Sequence, residues 1–142
     1  RWTYEILATD ISTRMLDLAR RAIYPEEKVV DIPEAFKRKY LMRGKGTHKD
    51  EVRIVPELRN RVRFQRLNLL GEGGFGLRAA MDVIFCRNVI IYFDPDTQRR
   101  LFRRMFDQML PGGFLFIGHS ETLHGIHDGF VPVATSVYRK PR

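Results

Sequence analysis

The six residues MDVIFC, 81–86, form a near-continuous apolar run of strand length. A run of this kind suits a strand in the middle of a parallel sheet, buried on both faces. A second one, FLFIG at 114–118, follows 27 residues after the end of the first, and the stretch between them reads as a helix. Asp94 and Pro95 open that helix, and Leu101, Phe102, Met105, Phe106, Met109 and Leu110 form a stripe opposite Arg99, Arg100, Arg103 and Arg104. Pro111, Gly112 and Gly113 end it. Strand, helix, strand in this order is the repeating unit of a parallel sheet.

The same unit is visible at the start of the chain. Residues 2–9 alternate loosely and close on Ile6, Leu7 and Ala8, with Asp10 at the carboxyl end. Ser12 is placed to cap the next helix, Ile11 and Leu16 to staple it, and Met15, Leu16, Ala19 and Ala22 recur on one face. The pattern then changes over residues 24–60, where basic and polar stretches are broken by Pro25, Pro33, Gly44, Gly46 and Pro56. Within them KYLMRG and EVRIV read as two short strands joined by a turn at 46–50, which makes an inserted antiparallel β subdomain. A strand resumes at Val62 and ends at Asn68, and residues 130–133 and 136–139 read as a closing hairpin. The expectation is an α/β fold: a mostly parallel sheet formed by residues 1–23 and 61–142, a terminal antiparallel hairpin, and the insert.

With 142 residues, 44% of them hydrophobic, the chain has material for one main core. It contains no apolar run of about 18 residues and no signal-peptide layout, so direct membrane insertion is not expected. The lack of an initiator Met suggests a chain that begins inside a longer protein. Its single cysteine, Cys86, excludes an internal disulfide framework and a cysteine-based zinc cluster, and points to a reducing compartment. A formal charge of +8 favours an acidic partner by long-range steering. The basic residues are dispersed, however, and no aromatic-rich basic motif accompanies them, which disfavours nucleic acid.

In open parallel sheets the ligand crevice lies beyond the carboxyl ends of the strands, which directs attention to Asp10, Asn68, Arg87, Asn88 and residues 118–121. A carboxylate there can accept two ribose hydroxyls, and the plainer alternative is that Asp10 only helps to cap the following helix. GEGGFG at 71–76 matches G-x-G-x-x-G letter for letter. The strand at 81–86 follows too soon for a helix to open from it, so it reads as a crossover loop rather than a phosphate cradle. His119, Ser120 and Glu121 lack the strand-to-helix elbow of a hydrolase, and Cys86 reads as an inert core thiol. No metal-ligand cluster is apparent.

The turn MLPGGFLFIG, 109–118, matches the entry into the fifth strand of Rossmann-like methyltransferases that use S-adenosylmethionine (SAM). More specifically, FCRNVIIYF at 85–93 resembles the signature of the chemotaxis receptor methyltransferase family. LATDIS at 7–12, AIY at 22–24, YLMRGKG at 40–46, the VRF and NLL pieces at 62–70, FIGHSE at 116–121 and TSVYRK at 135–140 are similar to that family in the same order. The resemblance covers essentially the whole chain. It implies a Rossmann-like SAM methyltransferase sheet and a cytoplasmic enzyme, recruited to receptor arrays, that methylates receptor glutamates and releases S-adenosylhomocysteine.

Carried over residue by residue, the resemblance gives Asp10 the SAM ribose, Asn68 and Leu69 the adenine, and Arg87 and Asn88 the methionyl region. Tyr92 would lie beside the reacting methyl, making Arg87 and Tyr92 the candidate catalytic pair. The plainer alternatives are a surface arginine at a strand end and a half-buried packing tyrosine. His119 would line the crevice as part of the family's GHSE. The inserted strands at 40–43 and 52–55 would dock the receptors' C-terminal peptide by edge addition, or serve only as structural cover.

A glutamate of ordinary pKa, about 4.3, is ionised at pH 7 and needs no general base to act as nucleophile. The family's first strand, its acidic glycine-containing SAM loop and its helical domain would lie upstream of Arg1. Without that strand, the edges of the strands ending at Asp10 and Cys86 are expected to promote self-association. A non-catalytic fragment that only binds receptor is therefore the alternative function.

Overall fold

The computed structural model describes residues 3–72 and 74–142. The expected first strand began at Trp2, which lies outside the described residues; so does Gly73 of the glycine-rich loop. The chain forms two compact units, Arg1–Asn68 and Leu69–Arg142.

In the first unit, β1 (Ile6–Asp10) pairs in parallel with β5 (Val62–Arg66), with Ala8 opposite Phe64. Helix α1 (Thr13–Arg21) packs on this pair. It starts where Ser12 Oγ accepts the Met15 N–H at 3.3 Å, satisfying one of the helix's unpaired first-turn donors. It stops at Ala22, which is left-handed at φ 51°. Leu16 and Ala22 are buried, whereas Ile11 and Met15 are exposed, so the apolar stripe is covered only in part.

The insert is a three-stranded antiparallel sheet in the order β2 (Ile23–Pro25), β4 (Glu51–Ile54), β3 (Leu41–Arg43). The sequence reading gave neither β2 nor the helix α2 (Glu34–Tyr40). Strand β4 runs through the middle and buries Val52, and a short helix α3 (Pro56–Arg59) leads from it to β5.

In the second unit, β6 (Met81–Cys86) pairs in parallel with β7 (Met109–Ile117), and the crossover between them is α4 (Pro95–Gln108). Asp94 caps α4: Oδ1 accepts the Thr97 N–H at 3.0 Å and Oδ2 accepts its hydroxyl at 2.7 Å. These bonds from Thr97, the backbone N–H first, hold the carboxyl below its ordinary pKa. Leu101, Phe102 and Met105 are buried beneath the helix with Leu115 and Ile117 of β7, and these residues form the core of the unit.

Met109 and Leu110, expected on the helix stripe, instead begin β7, because the chain is already extended at Met109 (φ −90°, ψ 146°). The glycines that follow are needed there. Gly112 is left-handed at φ 81°, and a Cβ on Gly113 would lie 2.8 Å from the Asp82 carbonyl oxygen. Nor do the four arginines share one solvent face. Arg104 turns inward, donating to the Leu69 carbonyl at 2.6 Å with its guanidinium 4.5 Å from the centre of the Phe75 ring.

Strand β7 continues antiparallel to β9 (Val137–Arg139), which pairs with β8 (Val131–Ala134), giving the order β6, β7, β9, β8. The expected closing hairpin is present, with Phe130 buried ahead of it. The architecture is the mixed α/β arrangement read from the sequence, parallel pairs closed by an antiparallel hairpin. The position of β6 differs from the opening expectation. It lies at an edge of its sheet, and Phe85 is 71% exposed although its ring stacks on Phe116 at 4.7 Å.

Candidate functional site

Asp10 is the last residue of β1, and Asn68 follows β5, the parallel neighbour of β1. The two strand ends are tied where the Leu67 N–H donates to the Asp10 carbonyl at 3.0 Å. Both side chains are exposed. Asp10 Oδ1 also accepts the Ser12 N–H at 2.8 Å, a turn bond that holds the N-cap residue of α1, while the cap itself is made by Ser12. The turn bond occupies one of the two carboxylate oxygens, and the carboxylate has lone pairs to spare.

The other predicted residues belong to the second unit. Leu69 opens it, and its carbonyl is held by Arg104. Arg87 and Asn88 follow β6 directly, both exposed, and Asn88 is left-handed at φ 58°. The chain then closes into a 3-10 turn, Ile90–Tyr92, in which Ile90 is buried. Gln98 of α4 donates from Nε2 to the carbonyls of Ile90 at 3.0 Å and Phe93 at 2.9 Å, so the turn is fixed from the helix. Tyr92, at its crest, is 80% exposed and is not a half-buried packing residue. Thus the structure groups Asp10 with Asn68 in one unit, and Arg87 with Asn88 and Tyr92 in the other.

His119 and Ser120 form an exposed turn after β7, and no hydrolase-like arrangement is built around them. Cys86 is a buried free thiol pushed up to about 11, by burial first and by the nearby Glu121 carboxylate second. It is held as the unreactive thiol, as the sequence suggested. Residues 71–80, apart from Gly73, contain no helix, so the glycine-rich stretch does not open a phosphate-binding helix.

Sequence reasoning gave no role to Glu121. It is buried, and its carboxylate accepts backbone N–H groups from both strand ends of this unit. The only signal available was its place in FIGHSE, at the carboxyl end of a predicted strand.

Each unit contains a parallel strand pair with polar side chains just past its carboxyl ends, the place where ligands bind in open α/β sheets. Residues 1–139 match the family model described as CheR methyltransferase, SAM binding domain, and the chain belongs to that family. Chemotaxis protein methyltransferase 2 of Pseudomonas aeruginosa is 44% identical over 124 residues, 87% of this chain and 44% of that protein. The chemotaxis protein methyltransferase of Escherichia coli K12 is 40% identical over 138 residues, 97% of this chain and 47% of that protein. The chain therefore spans less than half the length of these curated relatives. A solved structure described as a possible exported protein from Bordetella parapertussis superposes with a TM-score of 0.56 over 97% of this chain and 54% of that one. At 13% identity it speaks for the fold alone. SAM is the methyl donor that this domain family implies.

Proposed function

We propose that this chain is the SAM-binding part of an enzyme that methylates glutamate side chains on the cytoplasmic domain of chemotaxis receptors. Within it, residues 1–23 and 61–142 form the cofactor domain and residues 24–60 the receptor-docking insert. The observation that carries the reading is the family match over residues 1–139, with the strand-end residues of the signature exposed at the carboxyl ends of parallel strands.

The residues present fit the cofactor. Asp10 offers an exposed carboxylate for the ribose hydroxyls, Asn68 and Leu69 follow β5 where the adenine would lie, and Asn88 offers an amide to the methionyl group. SAM supplies a methyl group on a sulfonium, ready for displacement. Arg87, a cation on an exposed loop, would orient the incoming carboxylate, and Tyr92 would stand beside the transferred methyl. Holding reactants in contact and excluding water accounts for much of the acceleration such a transfer needs.

Recognition of the receptor would use the insert. Strand β4 is paired on both sides, so an added peptide strand would have to join at β3 or β2. Lys39 and Lys45, both exposed, flank β3 and favour an acidic peptide. No described helix is long and apolar enough to cross a membrane.

Asp10→Asn tests the cofactor assignment. The amide keeps an acceptor for the Ser12 N–H and loses the charge. In the whole natural protein that carries this sequence, its SAM dissociation constant should rise roughly ten- to 150-fold, corresponding to the loss of about 1.5–3 kcal/mol of charge-assisted bonding. Tyr92→Phe should lower turnover with little change in affinity. Unchanged SAM affinity in folded Asp10→Asn, measured by calorimetry, would refute the ribose role.

A further inference from the structure

We infer that Glu121 is a positioning residue, holding residues 87–92 in the conformation that presents Arg87, Asn88 and Tyr92 to the cofactor. The inference rests on the SAM reading above. Thr97 and Glu121 are the buried polar or charged residues among those described, and Glu121 is the charged one. Burying a carboxylate is costly unless it is fully hydrogen-bonded, so its partners reveal its purpose.

Those partners are three backbone N–H groups. Oε2 accepts from Gly118 at 2.5 Å and from Asn88 at 3.3 Å, and Oε1 accepts from Ile90 at 3.2 Å. Gly118 directly follows β7, and Asn88 and Ile90 follow β6, so one carboxylate spans the carboxyl ends of two adjacent parallel strands. No arginine or lysine pairs with it among the described residues. A neutral apolar residue at 121 would leave three donors unpaired, two of them around the left-handed Asn88, a backbone state that non-glycine residues adopt at a cost.

The bonds go to the backbone on either side of Val89, while the side chains of Arg87, Asn88 and Tyr92 remain exposed. Gly118 serves the same arrangement. A Cβ there would come within 2.6 Å of Asn88 Oδ1 and 2.7 Å of Glu121 Oε2, contacts too short to exist. Ser136, left-handed at φ 59°, backs it from the hairpin, its hydroxyl donating to the Gly118 carbonyl at 3.2 Å. Glu121 therefore acts through other residues and need not touch the ligand.

The test compares the whole natural protein that carries this sequence with Glu121→Gln, in which an amide NH2 replaces one acceptor oxygen at nearly constant volume. Well below the melting temperature, amide hydrogen exchange at Asn88, Ile90 and Gly118 should accelerate at least tenfold while amides of α4 are unchanged. The SAM dissociation constant of the folded protein should rise at least fivefold. A variant with a lower melting temperature but unchanged exchange at those amides and unchanged SAM affinity would make Glu121 merely structural and overturn the inference.

If Glu121→Gln does not fold, two other measurements decide. Wild-type exchange at the three amides as fast as in an open loop overturns it, and Gly118→Ala should weaken SAM binding at least fivefold with the fold intact. A wild-type protein that binds no SAM removes the functional reading itself and the positioning role with it, whereas slow exchange at the three amides would still show the backbone clamp.

Discussion

Lys140 explains why the end of the chain carries a lysine after β9, and replacing it tests how α4 is terminated. Its ammonium donates to the carbonyls of Phe106 at 2.6 Å and Met109 at 2.8 Å, and lies 4.5 Å from the centre of the Phe106 ring. These carbonyls belong to the last turn of α4 and its C-cap, where the Phe106 carbonyl also accepts the Met109 N–H and a positive charge meets the negative end of the helix dipole. The backbone of Lys140 is held independently: its N–H donates to Gly113 and its carbonyl accepts from Gly112, both at 2.9 Å.

Lys140→Met therefore removes the charge while keeping an unbranched side chain and the strand beneath it. Hydrogen bonds to charged groups contribute about 1.5–3 kcal/mol each, discounted here because the site is only partly buried and water can replace the ammonium. A total loss of about 2–3 kcal/mol follows, which for a chain of this size lowers the melting temperature by roughly 5–10 °C. Thermal unfolding followed by circular dichroism at neutral pH measures it. A melting temperature within about 1 °C of wild type would refute the capping argument.

His127 packs against Phe106 and Phe130 and accepts the Gly129 N–H on Nδ1 at 3.1 Å, which requires the neutral ring. Burial first, and Arg103 second among the lowering influences, hold its pKa below the ordinary value against the opposing pull of Asp128 and Asp107. The unfolded chain then takes up the proton first, so stability falls as pH drops below about 6.5. Urea midpoints at neutral and mildly acidic pH should show this loss, and His127→Asn should reduce it; an equal loss in both proteins would assign it elsewhere. Separately, β1 and β6 each have one unpaired edge within their own sheets, with Ile6, Val83 and Phe85 exposed. The 142-residue chain by itself should sediment with a mass that rises with concentration, and a compact monomer at all concentrations would contradict that.

Strands and helices with strong periodicity were legible. MDVIFC gave β6 with its bounds, Asp94 and Pro95 gave the start of α4, and Ser12 gave the cap of α1. The insert was legible only in part. The helix EAFKRKY has seven residues and buries none of them, and β2 ends on Pro25, which ordinarily speaks against a strand. The apolar run alone suggested a strand covered on both faces, since it records what a strand can bury and not which neighbours it has; only the resemblance, with its strand upstream of Arg1, pointed to the open edge on which Phe85 is exposed. Asp10, Asn68, Arg87, Asn88 and Tyr92 are candidates because strand ends and a family signature point to them. Glu121 was passed over because its importance lies in three backbone bonds, two of them to residues more than 30 positions away, and no local pattern encodes those.

The most direct measurement of the central claim is methyl transfer. The whole natural protein that carries this sequence, incubated with SAM labelled in its methyl group and a purified receptor cytoplasmic domain, should place the label on receptor glutamates as esters, and alkali should release it as methanol. Substituting the acceptor glutamates by alanine should abolish incorporation. Label appearing in nucleic acid or small molecules, or in the receptor in an alkali-stable form, with none on glutamate, would contradict the account.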